Sequence, residues 1–352
     1  MSTEYHFGDE IVQYGPGNIG MIKYQGPASP VPPAGPAAAV RRSFDVCLII
    51  PLREEFDCAR DVLRFDDPIS DGSYFLHPFS IPGSSVTGIA VVLFGVGLAS
   101  SAVAATHLLS SYDIRVLALV GIAGALSPEL HLGDVVIASS VDEYLHGAKV
   151  RPDATGRGVE FELGGTAWQA TPEIVTFAHN FRYLADPDAG FRSWRERAKG
   201  RRDPRLAAAI PAMADDYPDY LVGTIATGEI VSAAESFAQW LRRTNRLRAA
   251  IEMEAGGAAR AIYQERRAHL IVVRGISDFA DERKRDMDAA TAPDTEFGAW
   301  RRYAMCNAVD LFAALVASPQ FPWPGPTLDR PVPMTPPPVQ RAELWHEYRD
   351  GP

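Results

Sequence analysis

Cysteine is scarce: Cys47, Cys58 and Cys306 are the only three in 352 residues, and they form neither a C-x-x-C pair nor an even set. That excludes a disulfide framework and predicts a reducing, cytoplasmic compartment. Nothing in the sequence asks for a metal or a cofactor. Positive charge is in deficit, with 34 Lys+Arg against 44 Asp+Glu and a net charge of −10. A nucleic-acid polymer would be met by a basic footprint, so that partner class is excluded. Residues 72–112 lack any charged side chain, yet a glycine turn breaks them and half-polar sequence follows, so they read as strand and helix rather than a bilayer span. Met1–Glu10 has acids where a signal peptide starts basic and then turns apolar. The expectation is a soluble protein without a membrane partner.

What is present is an ordinary globular composition, 47% hydrophobic and 22% charged, long enough to bury a real core. Proline marks the boundaries: of 28, five fall in Pro27–Val40 and nine in Pro319–Pro338. Such density favours extended, solvated segments. It divides the chain into a head (1–26), a Pro/Ala-rich linker (27–43), a core domain (44–318) and a Pro-rich tail (319–352). No internal repeat stands out.

Within the core the pattern alternates. Val46–Pro51, Ile89–Phe94, Val116–Ile122, Val135–Val141, Leu221–Ala226, Ala249–Met253 and His269–Ile276 read as strands. Arg53–Leu63, Leu98–Ser111, Ser236–Arg243, Glu254–Glu265 and Glu296–Ala317 read as helices. Residues 151–220 or so read as an irregular insertion. Strands apolar on both faces and separated by helices predict an α/β class fold, a single layered α/β/α domain with a central mixed, mostly parallel sheet.

Four segments place polar or glycine elements at strand ends, where ligands bind in such sheets. Leu52-Arg53-Glu54-Glu55 puts two acids at a helix start, which helix-dipole complementarity alone would also explain. Gly121-Ile122-Ala123-Gly124 lets a backbone approach a ligand, or makes a tight turn. Glu252-Met253-Glu254 sends two carboxylates to one face amid apolar sequence. Arg274-Gly275-Ile276-Ser277-Asp278 closes a buried run with an acid, either a general acid or a cap for the next helix.

In order and spacing the four resemble the nucleoside phosphorylase/nucleosidase superfamily, most closely the methylthioadenosine/S-adenosylhomocysteine nucleosidases. Gly95-Val96-Gly97 before a small-residue helix, and Leu132-Gly133-Asp134-Val135-Val136, add to the match. The resemblance implies roles. Asp278 would protonate the purine N7, with Ser277 orienting it. Glu55 would activate the attacking water, with Arg274 helping to hold it. Glu254 would accept the ribose hydroxyls and Met253 would pack on the sugar. Gly97, Ala123 and Gly124 would line the pocket, and Val231 and Ser232 would lie by the base, where an aromatic is usual at the place of Val231. The implied reaction is adenine release from a purine nucleoside or nucleotide, in a homo-oligomer. Methionine salvage, or a nucleotide-binding assembly protein without turnover, are the alternatives.

The departures are informative. Phosphorylases of the superfamily hold phosphate with an Arg and a Ser, and those places match Leu119 and Ile122 here. Water is therefore the expected nucleophile. The run from Phe191 to Arg205 carries seven basic residues and reads either as a solvated face or as a clamp for substrate phosphates. The head, Phe7–Gly15 and Asn18–Gly26, resembles bacterial amyloid-signalling segments of the RIP homotypic interaction motif type, which stack as cross-β. That resemblance implies a partner protein bearing a matching motif and a role in bacterial defence or signalling; a terminus with incidental glycines is the plain alternative.

Overall fold

The computed structural model describes residues 11–12, 21–22, 41–152, 159–162, 164–184, 190–202, 217–284 and 296–325. The chain divides into two compact units, Met1–Arg41 and Arg42–Pro352. In the first, Ile11–Val12 pairs antiparallel with Met21–Ile22, Ile11 opposite Ile22. The rest of the expected head, nearly all of the linker and the tail beyond residue 325 lie outside the described residues.

The second unit has the expected α/β class. Its sheet is built from β1 (Ser43–Ile50), β2 (Arg64–Phe65), β3 (Phe75–Ser80), β4 (Thr87–Val92), β5 (Asp113–Ala125), β6 (Val135–Glu143), β7 (Thr166–Gln169), β8 (Tyr220–Thr227), β9 (Arg248–Glu252) and β10 (His269–Asp278), with the two-residue stretch Ile69–Ser70 paired to β3. Helices α1 (Arg53–Ala59), α2 (Leu98–Ser111), α3 (Pro172–Asn180), α4 (Phe191–Gly200), α5 (Glu235–Thr244), α6 (Ala255–Glu265) and α7 (Glu296–Ala317) accompany it.

Strand β1 shows why the apolar runs are continuous. Alternation sends Val46, Leu48 and Ile50 into one layer with Trp194 of α4 and Val309 and Phe312 of α7. Cys47 and Ile49 go to the other layer, with Ala104 and Leu108 of α2 and Ala258 of α6. Both faces are covered, so neither can be polar. Each such aliphatic side chain contributes roughly 1.5–3 kcal/mol by leaving water.

The strand order is β7-β6-β8-β9-β5-β1-β4-β3-β2, with β10 bridging β5 and β6. β5, β10, β6, β8 and β9 therefore close into a ring. β1 lies parallel to both β4 and β5, and β10 is parallel to β5. The long β5 changes partners near its end, where Gly124 is in register with both Ile251 of β9 and Asp278 of β10. This convergence of three strand ends positions the site.

Some expectations need correction. The insertion is not irregular in its described parts: it contains β7, α3, α4 and a hairpin of Lys149–Pro152 with Val159–Glu162. In α4 the apolar stripe Phe191, Trp194 and Ala198 is buried, and Trp194 Nε1 donates to the Asn307 carbonyl at 3.0 Å. Helix α1 stops at Ala59 rather than Leu63, and β2 and β3 were not anticipated. β1 starts at Ser43, inside the expected linker. The first tail residues are not extended into solvent either. Phe321 is buried, its ring 5.5 Å from that of Phe177, and the Arg115 guanidinium lies 4.5 Å from the Trp323 ring centre. Among the described residues no helix is long and apolar enough to cross a membrane.

Candidate active site

A cleft of about 230 Å³ opens where β5, β9 and β10 end. Its wall includes Glu55, Ala123, Gly124, Val231, Ser232, Met253, Glu254, Arg274, Ser277 and Asp278, brought together from five separate stretches of chain. Of the pocket residues expected from the sequence, only Gly97 stands behind the wall, where its neighbour Val96 lies.

Glu55 sits in the first turn of α1. One carboxylate oxygen accepts the Leu52 N–H at 3.0 Å, tying the helix start, and the other accepts the Ile122 N–H of β5 at 2.9 Å. The side chain is thus held by two backbone donors and aimed at the end of β5. Burial pushes its pKa up to about 7, with the nearby Arg274 charge opposing the rise. A carboxyl poised near neutrality can take a proton at physiological pH.

Glu254 caps the start of α6. Its Oε1 accepts the Gly97 N–H at 3.1 Å and its Oε2 accepts from Arg274 Nη2 at 3.1 Å. Gly97 has φ +108°, a conformation open to glycine, and this is how its amide reaches the carboxylate. Burial raises the Glu254 pKa, again against the Arg274 charge. Glu252, two residues earlier at the end of β9, accepts the Glu254 and Ala255 N–H groups at 3.1 and 3.0 Å and also binds Arg274 Nη2. Arg274 is 1% exposed. Its guanidinium braces two carboxylates, so any hold on a water molecule is shared with that task.

Asp278 ends β10. Its Oδ2 lies 3.0 Å from Ser277 Oγ and its Oδ1 accepts the Ala280 N–H at 2.9 Å. Ala280 adopts φ +54°, which turns that amide back toward the acid. A Cβ at Gly124 would stand 2.7 Å from Asp278 Oδ1, so the second glycine of this motif is required by close approach. Ser232 Oγ donates to the Ala280 carbonyl at 3.0 Å, pinning the same turn from the far wall.

Three cleft residues escaped the sequence reading: Ala280, Lys284 and Arg301. Lys284 Nζ is 2.9 Å from Asp278 Oδ2, and Arg301 pairs with Glu54. Only the short distance of Lys284 from Asp278 along the chain could have flagged it. Ile122 lines the cleft, whereas Leu119 is fully buried in the α2 layer. In its described part the basic run turns to the fold. Arg197 and Arg201 both bind Asp310 of α7, Arg195 binds the Pro218 carbonyl and Arg202 the Tyr217 carbonyl. None of them lines the cleft.

A family model described as the phosphorylase superfamily matches residues 77–317. The fold is similar to that of the futalosine hydrolase of Helicobacter pylori strain 26695, at 17% identity over 78% of this chain and 97% of that one, with a TM-score of 0.51. It is also similar to the 5'-methylthioadenosine/S-adenosylhomocysteine nucleosidase of Colwellia psychrerythraea 34H, solved with adenine (19% identity, 78% and 95% covered, TM-score 0.52). A third likeness is to the S-adenosylhomocysteine nucleosidase of Streptococcus pyogenes, solved with 5-methylthiotubericidin (18% identity, 78% and 97% covered, TM-score 0.53). At these identities the likeness is one of fold.

Proposed function

Because the chain belongs to the phosphorylase superfamily, we propose that it is a purine N-ribosidase, cleaving the bond between base and ribose with water and releasing adenine. The observation that carries this reading is the meeting of Glu55, Glu254 and Asp278 in one cleft, each buried and each held by different donors. In the reaction the bond to the base lengthens and the ribose gains oxocarbenium character. Glu254 stands at the sugar and accepts its hydroxyls, while Met253 packs against it. Asp278 gives a proton to N7, turning the purine into a neutral leaving group. Glu55, near neutral pKa, takes the proton of the attacking water. Arg274 keeps the carboxylates in place. Negative charge beside a developing cation is stabilising in a site closed to water.

The Colwellia relative was solved with adenine, which supports a purine as the base. Methylthioadenosine or S-adenosylhomocysteine remain alternative substrates, and a nucleotide-binding protein without turnover is the rival class. The amyloid-type head adds a finer reading: a recruited effector of bacterial defence or signalling, assembled through a partner with a matching motif.

The experiment is release of free base from a panel of purine nucleosides and nucleotides, followed by chromatography. Asp278→Asn should lower the rate by ~10²–10⁴, the usual worth of a general acid. A folded Asp278→Asn protein at the native rate would remove Asp278 from the mechanism. Binding without base release from any substrate would favour the assembly protein.

A further inference from the structure

Lys284 has no part in the reaction as described so far. It lies in the cleft wall with its Nζ 2.9 Å from Asp278 Oδ2. The lysine side chain is 17% exposed and the aspartate 5%, so the pair runs from solvent into the cleft. Asp278 also has Ser277 Oγ at 3.0 Å and the Ala280 N–H at 2.9 Å. All three partners can donate, which is the environment of an ionised carboxylate rather than of an acid. An ionised Asp278 has no proton to give. The proton closest to it in an acidic bond is the one on Lys284.

On the N-ribosidase reading, on which this inference rests, we propose that Lys284 supplies the proton that Asp278 passes to the base. A purine seated over Asp278 takes water away from the pair. A neutral amine beside a neutral acid is then less costly to bury than two charges. The Nζ–H bond breaks with its electron pair left on nitrogen, and Oδ2–H forms. As the glycosidic bond breaks toward the base, Oδ2–H gives way to N7–H. Lys284 leaves the turnover as a neutral amine and regains a proton from water once the base has left the cleft. The neighbouring charges do not serve instead. Arg274 is bound to Glu252 and Glu254, and Arg283 is bound to Asp281. A guanidinium, moreover, does not surrender a proton.

Lysine and arginine separate supply from positioning. Lys284→Arg keeps a positive charge beside Asp278 but ends the supply, and Lys284→Ala removes both. In the base-release assay both variants should lose ~10–10² in kcat, part of the worth of the general acid, with KM within about twofold. Methylamine added to Lys284→Ala should restore turnover in proportion to its concentration, and should leave Lys284→Arg unchanged. Lys284→Arg at the native kcat would overturn the proposal and make the lysine a positioning charge. A native rate in Lys284→Ala, or a loss that no small amine restores, would overturn it too. A native protein that releases no base fails the N-ribosidase reading itself, a result seen before any variant is compared.

Discussion

At the residue scale the cleft makes sharp demands on pH and on the nucleophile. The ordinary value for Glu55 is 4.5, and burial takes it to about 7. A water-activating base works only as carboxylate, so kcat/KM should rise about tenfold per pH unit up to about 7 and then level. Stability should run the other way. A carboxyl whose folded value lies above its unfolded one favours folding fully below 4.5, and that contribution is lost as pH rises through about 7. Glu55→Gln should abolish the acid limb of the rate profile and flatten this part of the melting curve against pH. An unchanged limb would assign it to another group. Phosphate should not replace water. An anion needs several donors and positive charge at one point, and Ile122 offers none through its side chain while Leu119 is buried in the core. Two like charges ~4 Å apart at an effective dielectric of about 20 repel by roughly 4 kcal/mol, so an ionised Glu55 would keep phosphate out. The rate should be independent of added phosphate, with ribose or a ribose phosphate bearing a free anomeric hydroxyl as product. Phosphate-dependent turnover yielding ribose 1-phosphate would remove Glu55 as the base.

At the element scale, legibility tracks periodicity and local chemistry. Helix α2 could be bounded from Gly97 to Ser111 because a glycine turn precedes it and its small residues continue without a break. The motif ends of β5, β9 and β10 were legible for the same reason: each is an apolar run closed by a glycine or an acid. Their convergence was not, since it depends on β5 changing partners at Gly124. Lys284 was invisible because its meeting with Asp278 passes through the left-handed turn at Ala280. The basic run shows the opposite case. Its charge was plain, but its partner Asp310 lies 109 and 113 positions from the two arginines that bind it. Asp310 is 4% exposed, whereas the guanidiniums of Arg197 and Arg201 reach solvent. Asp310→Ala should therefore cost about 2–4 kcal/mol, two charge-assisted contacts discounted for that exposure. It should leave KM for a nucleotide unchanged, since α4 is a brace on α7. A KM rise confined to phosphorylated substrates would return the run to substrate binding.

At the scale of the whole molecule, the chain divides into Met1–Arg41 and Arg42–Pro352. Every residue of the cleft wall lies in the second unit, as do both apolar layers. The cut must still respect β1, because the Asp113 N–H donates to the Arg42 carbonyl at 2.9 Å and Ser43 pairs with Asp113. A chain starting at Arg41 keeps that edge; one starting at Phe44 loses it. The first should turn over within about twofold of the full chain and melt with it, while the second should melt lower, by roughly the worth of one or two backbone hydrogen bonds. The removed part should matter only for assembly. Cross-β stacking needs low charge and an edge that can repeat, and Ile22 stands opposite Ile11 in the one described ladder of the head. A peptide of residues 7–26 should form thioflavin-positive fibrils, and a charge placed at Ile19 or Ile22 should prevent them, since a dry stacked interface leaves that charge unpaired. If the peptide stays monomeric at high concentration, or if the chain from Arg41 loses turnover, the head is not a separable recruitment tag.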